Sequence, residues 1–483
     1  MILNPTGVAP LTASLEIESD IPVSVQITVS ARIDDDPDLT HRFDQSGTTL
    51  NLPVLGLYAD HQNTVTATYF DENGSELGSR TYEVTTDPLL ADLPTVDINT
   101  ADPSGMAEGM TFAAYYGHRP NGSPTPQRPF IFDRTGEIRW YLDYSSHPEL
   151  SNLFYDNGME RLENGNFFFG SNSTSKIYEI NMLGEVLNSW DLGSKGFSFH
   201  HHVIEKPDGN FIATVNNDNI STVEDHVIEI DRATGDLVTV WDLNESLDNT
   251  RRAWPTDLAN LDVDWFHGNA LAYDEADDAI LVSGRTQCVV KLSRNNEVIW
   301  ILAPHKEWGT SGDGTDLTQF LLQPLDASGN PINDSAVLSG DVNHPDFEWS
   351  WYQHAVKIKP DGNIFLFDNG ENRNYSGSQL YSRAVEYAID QQAMTIQQTW
   401  SYGKQRGAET YSRIVSEVDF FPDENHVFFT PGATRFGGED YGKVVEIDYS
   451  QQAVLFEATI IPPVPAFGLI TLHRSQRLPL YPQ

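Results

Sequence analysis

Three histidines, in a chain that holds only 14, recur at one register. His201 and His354 each stand six positions ahead of the proline in a Pro-Asp-Gly-Asn turn, Pro207 to Asn210 and Pro360 to Asn363. His267 holds the same place ahead of a longer turn, and Asn157 and Ser416 hold it in two further segments. Imidazoles that share a register share a depth, so the three can meet around one opening. Such a set suits a neutral imidazole as nucleophile, an imidazole that exchanges a proton with a substrate, or a three-nitrogen cage for Zn²⁺. Arg285 weighs against the cage. It ends the segment Ile280 to Arg285 of the His267 unit and is one of only 29 basic residues. A planar guanidinium repels a metal cation and matches a tetrahedral oxyanion. The chemistry points to an anionic substrate.

The elements that carry these residues repeat. Each begins with a strand, a polar turn and a second strand, as in His201 to Ile212, His267 to Val282, His354 to Phe365, Asn157 to Phe169 and Ser416 to Phe429. An aromatic hairpin follows. Six such hairpins run Phe130 to Trp140, Ile177 to Trp190, Val227 to Trp241, Val289 to Trp300, Ala384 to Trp400 and Val444 to Phe456. Their starts lie about 47, 50, 62, 95 and 60 residues apart, the length of a four-stranded propeller blade with insertions. The expectation is an all-β chain: a six-bladed β-propeller over residues 105–483, whose inner strands line a central channel. Leu469 to Leu480 is expected to close the ring against the first blade. Residues 1–90 alternate apolar and polar side chains, as in Val23 to Val29 and Thr64 to Phe70, and read as a small β-sandwich. A linker rich in Pro, Asp and Thr is expected over 91–104.

Composition narrows the partners. With 29 Lys and Arg against 70 Asp and Glu, the net charge is −41, which excludes the basic face that nucleic acid requires and disfavours anionic membranes. The acidity is spread, as in Asp34-Asp35-Asp36 and Asp277-Asp278. No run approaches the roughly 18 apolar residues of a membrane span. A single cysteine, Cys288, leaves no intramolecular disulfide and no cysteine zinc cage. The N-terminus lacks a leader pattern, so the protein is expected either in the periplasm or outside the cell with its leader removed, or in the cytoplasm.

These residues also carry a resemblance. His200-His201 before a Pro-Asp-Gly-Asn turn, Asp264-Trp265-Phe266-His267-Gly268-Asn269, Ser283-Gly284-Arg285 with Gln287, Gln353-His354 and Arg477 to Tyr481 occur in an order similar to that of the bacterial arylsulfate sulfotransferases. So do Asn4-Pro5 and Ala9 to Ala13 near the start. That family takes its sulfuryl group from an aryl sulfate rather than a nucleotide sulfate. The resemblance implies a six-bladed propeller, an N-terminal sandwich contributing to a homodimer, a phenolic acceptor, no cofactor, and a channel histidine that becomes sulfated. It makes His354 the sulfo-acceptor and has His267, Arg285 and Asn269 hold the sulfuryl oxygens. His201 takes the remaining channel position, with His200 and His202 as alternatives one residue either side. The disulfide that some members carry near the channel is excluded here by the lone Cys288. Two other readings fit the sequence: a metal-dependent hydrolase or lyase on three histidines, and a propeller that binds a partner without catalysis.

Overall fold

The computed structural model describes residues 1–33, 37–118, 123, 125–254, 256–463 and 470–482. The run Asp34-Asp35-Asp36 and the expected strand start at Leu469 lie outside the described residues. The described residues are almost entirely strand and turn, with only two four-residue α-helices, Leu243–Ser246 and Ser335–Leu338.

Six sheets follow the N-terminal domain, and each places one strand innermost. The inner strands are Glu160–Arg161 in blade 1, Phe197–Glu205 in blade 2, Gly268–Asp274 in blade 3, His354–Ile358 in blade 4 and Glu417–Phe421 in blade 5. Blade 6 joins the two ends of the propeller: Thr471–Leu478 pairs with Met110–Tyr116, ahead of Arg128–Phe132 and Ile138–Tyr141. The six aromatic hairpins are the third and fourth strands of the six blades, counted from the axis. The segment 91–104 is more than a linker. Its strand Thr95–Ala101 pairs with Val454–Ile461 and forms the outer edge of blade 5.

The repeated turns hold because their side chains are anchored. In blade 2, Asp208 accepts the Asn210 amide at 3.0 Å and Gly209 adopts a left-handed φ of 87° that completes the turn. Lys206 and Asn210 then donate to Glu229 on the third strand at 2.9 and 3.1 Å. Blade 4 repeats this with Lys359 and Asn363 donating to Glu386 at 3.1 and 2.6 Å. Blade 3 swaps the signs: Lys291 occupies the strand, and Asp274 and Asp277 of the turn accept from it. Tryptophans of the hairpins tie blade to blade. The indoles of Trp140, Trp190, Trp241 and Trp400 donate to Met182, Arg232, Ser293 and Tyr449 carbonyls of the next blade at 2.7 to 2.8 Å.

The N-terminal domain is antiparallel. Ala13–Val29 pairs with both Leu39–Val54 and Gln62–Phe70, and buries Leu15, Ile17, Val25, Ile27, Leu52 and Val65 in one core. The same core continues into propeller residues Phe130, Phe132 and Phe456, so the domain is seated on the ring.

Candidate active site

The inner strands do not run straight through the channel. Their pairing slips between Phe199 and Val203, between Gly268 and Ala270, between His354 and Lys357, and between Leu472 and Ser475. Left-handed residues stand at or just ahead of five inner strands: Gly158, His201, His267, Ala355 and Ser416 have φ of 62°, 52°, 55°, 54° and 92°. A bulge adds a residue to one strand and re-aims its side chain, while a non-glycine residue there costs about 1–3 kcal/mol. Two of these residues, His201 and His267, are histidines, and His354 directly precedes a third, Ala355.

His201 and His267 stand with ring centroids 4.8 Å apart, and His201 and His473 with centroids 5.7 Å apart. Of its triplet, His201 is the histidine whose ring packs against His267 and His473. His202 turns away, placing Nε2 2.9 Å from Glu160 and accepting the Leu271 amide on Nδ1 at 2.9 Å. His200 is buried behind, with its Nδ1 3.2 Å from that of His201. Ser416 and Asn157 occupy the register positions expected of them but spend their side chains on blade contacts: Ser416 Oγ donates to Ser412 Oγ and accepts the Gly432 amide, and Asn157 donates to Phe154 O.

His354 has a defined tautomer. Its Nδ1 faces two acceptors, Asn369 Oδ1 at 2.8 Å and Tyr352 O at 3.1 Å. Asn369 is itself fixed, because its amide donates to Ser412 O and Val415 O at 2.8 and 3.1 Å. Nδ1 therefore carries the hydrogen and Nε2 keeps the lone pair. Burial first, and then the nearby Arg285 charge, hold His354 well below the ordinary histidine range, so the ring is neutral at pH 7. Gln353 pins this strand to blade 3: its side chain donates to Gly284 O at 2.9 Å, and its carbonyl accepts from Asn269 and Ser283.

Arg285 is 7% exposed, and no carboxylate among the described residues lies within ion-pairing distance of it. One Nη donates to Leu258 O at 3.3 Å, and Nε is buried without a partner. In a chain with 70 acidic residues this is a cation left unneutralised. Asn269 sits at the bulge with Nδ2 donating once, to Gln353 O at 2.9 Å, which leaves its second N–H unspent.

Four residues at this depth carry no signal in the turn register. His473 comes from the strand that closes blade 6, and its Nδ1 donates to Tyr155 O at 3.2 Å. It was detectable only by treating Leu469 to Leu480 as a sixth inner strand. Glu224 and Asp264 place carboxylate oxygens 2.7 Å from His267 Nδ1. Asp156 is pushed up to about 7, by burial and then by the Glu224 charge.

The three histidines expected of the zinc reading do not gather into one metal-compatible group. Among the described residues, the metal-compatible groupings are His200–His201–Glu224 and Glu224–Asp264–His267, and His354 belongs to neither. Carboxylate oxygens 2.7 Å from His267 Nδ1 are at hydrogen-bonding distance, shorter than the ~3.3 Å edge of a tetrahedron with zinc bonds of about 2.0 Å. Two cavities lie elsewhere: about 570 Å³ beside Tyr58, Arg139 and Leu480, and about 560 Å³ beside Glu160, Lys357 and Asp419.

A family model described as arylsulfotransferase (ASST) matches residues 95–462, and one described as arylsulfotransferase Ig-like domain matches residues 1–87. The chain belongs to the arylsulfotransferase family. It is a sulfuryl-transfer enzyme, and the resemblance read from its short motifs covers nearly all of the chain. The arylsulfate sulfotransferase AssT of Escherichia coli O6:H1 (strain CFT073) is 30% identical, over 96% of this chain and 90% of that one. The AssT of Lelliottia amnigena is 28% identical over the same shares.

Proposed function

We propose that this arylsulfotransferase moves a sulfuryl group from an aryl sulfate to a phenol in two displacements, through a sulfated His354. The observation that carries the reading is the buried, unneutralised Arg285 beside a neutral His354 whose lone pair lies on Nε2. Sulfuryl transfer resembles phosphoryl transfer: charge spreads over three equatorial oxygens and the departing phenol oxygen. Arg285 and the spare N–H of Asn269 supply donors for those oxygens, worth a few kcal/mol each in a site that excludes water.

In the first displacement the His354 Nε2 lone pair bonds to sulfur. The sulfur–aryloxy bond breaks, its electron pair passes to the phenol oxygen, and a neighbouring histidine, His267 or His201, delivers a proton there. The sulfated ring gains positive charge, which its Nδ1–H shares with Asn369 and Tyr352. In the second displacement the acceptor phenol returns its proton to the same histidine, its oxygen bonds to sulfur, and Nε2 recovers its lone pair. Protons balance over the cycle and no cofactor is required. We place the working form as a homodimer through the N-terminal domain, on the family resemblance. Light scattering should return twice the 54.0 kDa chain mass, and the single mass would remove this part.

A chromogenic aryl sulfate, mixed with enzyme in the presence and absence of a phenol acceptor, tests the reading. Steady phenol release should require the acceptor, with parallel double-reciprocal lines. Steady release to water alone, or no release at all, would contradict it.

A further inference from the structure

Two carboxylates converge on one nitrogen of His267, and sulfuryl transfer as described above gives neither a task. We infer that Glu224 and Asp264 are positioning residues that hold the proton-carrying form of His267, with Nε2–H presented to the phenol oxygen, and so make His267 rather than His201 the acid and base of the reaction. The inference rests on the sulfuryl-transfer reading.

The geometry comes first. His267 Nδ1 donates to Asp264 Oδ2 at 2.7 Å, and Glu224 Oε2 lies 2.7 Å from the same nitrogen as an ion-pair partner without hydrogen-bond geometry. His267 Nε2 is buried and has no partner within the protein. One end of the ring is thus committed to an acceptor and the other is unspent. The arrangement is braced by the backbone. The Glu224 amide donates to Asn216 Oδ1 at 2.7 Å, the Gly268 amide donates to Glu224 O at 2.8 Å, and the Asp264 amide donates to Asn260 O at 2.8 Å. Glu224 itself is left-handed, with φ of 59°, as is His267 at 55°. Two strained residues side by side, each tied to the other, are a feature that selection would otherwise remove.

The charged and titratable groups facing His267 are Glu224, Asp264, Arg285, His200, His201, His354 and Asp156. Burial and Arg285 oppose a charge on His267, but Glu224 and Asp264 outweigh them, and its titration lies above the ordinary histidine range. His201 differs by one ångström of placement. Its nearest carboxylate oxygen is 3.7 Å away, and burial followed by the His267 charge holds it well below the ordinary range. The same proton then serves both halves: His267 gives it to the departing phenol, waits neutral beside sulfated His354, and takes it back from the acceptor.

The sign of the pH dependence follows. Donor cleavage needs charged His267, so it is fast below the raised titration of that residue and slows as pH rises through it. Removing a carboxylate lowers that titration and moves the alkaline limb to lower pH.

The test compares two donors, nitrophenyl sulfate with its acidic phenol and methylphenyl sulfate with a basic one, on wild type, E224Q and D264N. A general acid is worth about 10²–10⁴-fold and matters most for the poorer leaving group. The variants should lose at least about tenfold more kcat/KM on methylphenyl sulfate than on nitrophenyl sulfate, and Asp264→Glu should recover most of the loss. An equal loss on both donors with an unmoved alkaline limb would overturn the inference. Should the variants not fold, the wild type alone decides: its preference for nitrophenyl sulfate must steepen as pH rises, and an unchanging preference overturns the inference. Wild type that releases no phenol from either donor would instead sink the sulfuryl-transfer reading.

Discussion

Adjacent residues on the same inner strands meet opposite fates along the channel. At one depth stand His201, His354 and His473, neutral, with Arg285 unneutralised beside them. One residue further along, His202 replaces His201, Arg474 replaces His473, and Glu417 follows Ser416. There, Arg474, Lys357, His202, Glu160 and Glu417 all lie within ion-pairing distance of an opposite charge. Arg474 lies 3.1 Å from Glu417 and 3.5 Å from Glu160, Lys357 lies 3.5 Å from each, and His202 lies 2.9 Å from Glu160. This belt links blades 1, 2, 4, 5 and 6 through ion pairs that close on themselves. The histidine chamber draws on blades 2, 3, 4 and 6 and leaves its cation open. Paired charges at the axis serve the ring, and the unpaired one serves a substrate.

That contrast can be broken from either side. The largest effect on chemistry is expected from His354→Asn, which removes the nucleophile and should abolish transfer in a protein that still folds. Arg285→Ala should slow transfer about a hundredfold or more by removing a donor to the sulfuryl oxygens. Because that cation has no carboxylate to leave uncompensated, thermal stability should hardly fall. A stability loss matching the activity loss would place Arg285 with the belt. Arg474→Met should do the reverse. It leaves Glu417 with Lys357 alone and Glu160 with Lys357 and His202, a loss of up to about 3–5 kcal/mol for a broken buried pair, read as a lower unfolding midpoint. Folded enzyme should keep kcat within about tenfold of wild type, and a drop as deep as that of Arg285→Ala would merge the two regions.

Much of this was legible in the sequence, for a physical reason. Propeller blades repeat their turn chemistry, so Pro207 to Asn210 and Pro360 to Asn363 announced the inner hairpins, and the Trp-bearing hairpins announced the outer ones. His201, His267 and His354 were found because they ride that repeat at fixed distance. His473 was missed because its strand has no turn of its own: it pairs with Met110–Tyr116, more than 300 residues earlier in the chain. Glu224 and Asp264 were missed because they reach His267 from connections, where no period governs position. Asp264 stood inside a quoted motif, yet only the fold shows that its carboxylate, three residues back, curls onto the ring. The linker reading of 91–104 failed at Thr95–Ala101 for a related reason, since an edge strand borrowed by a distant blade follows no local rule.

The most direct test of the central claim is the mass of the peptide that contains His354 after brief mixing with an aryl sulfate and no acceptor. The account predicts a sulfate-sized adduct on that peptide, formed at the rate of the first burst of phenol and discharged when a phenol is added. An adduct on the peptide of His201 or His267, or a burst of phenol with no adduct anywhere, would contradict it.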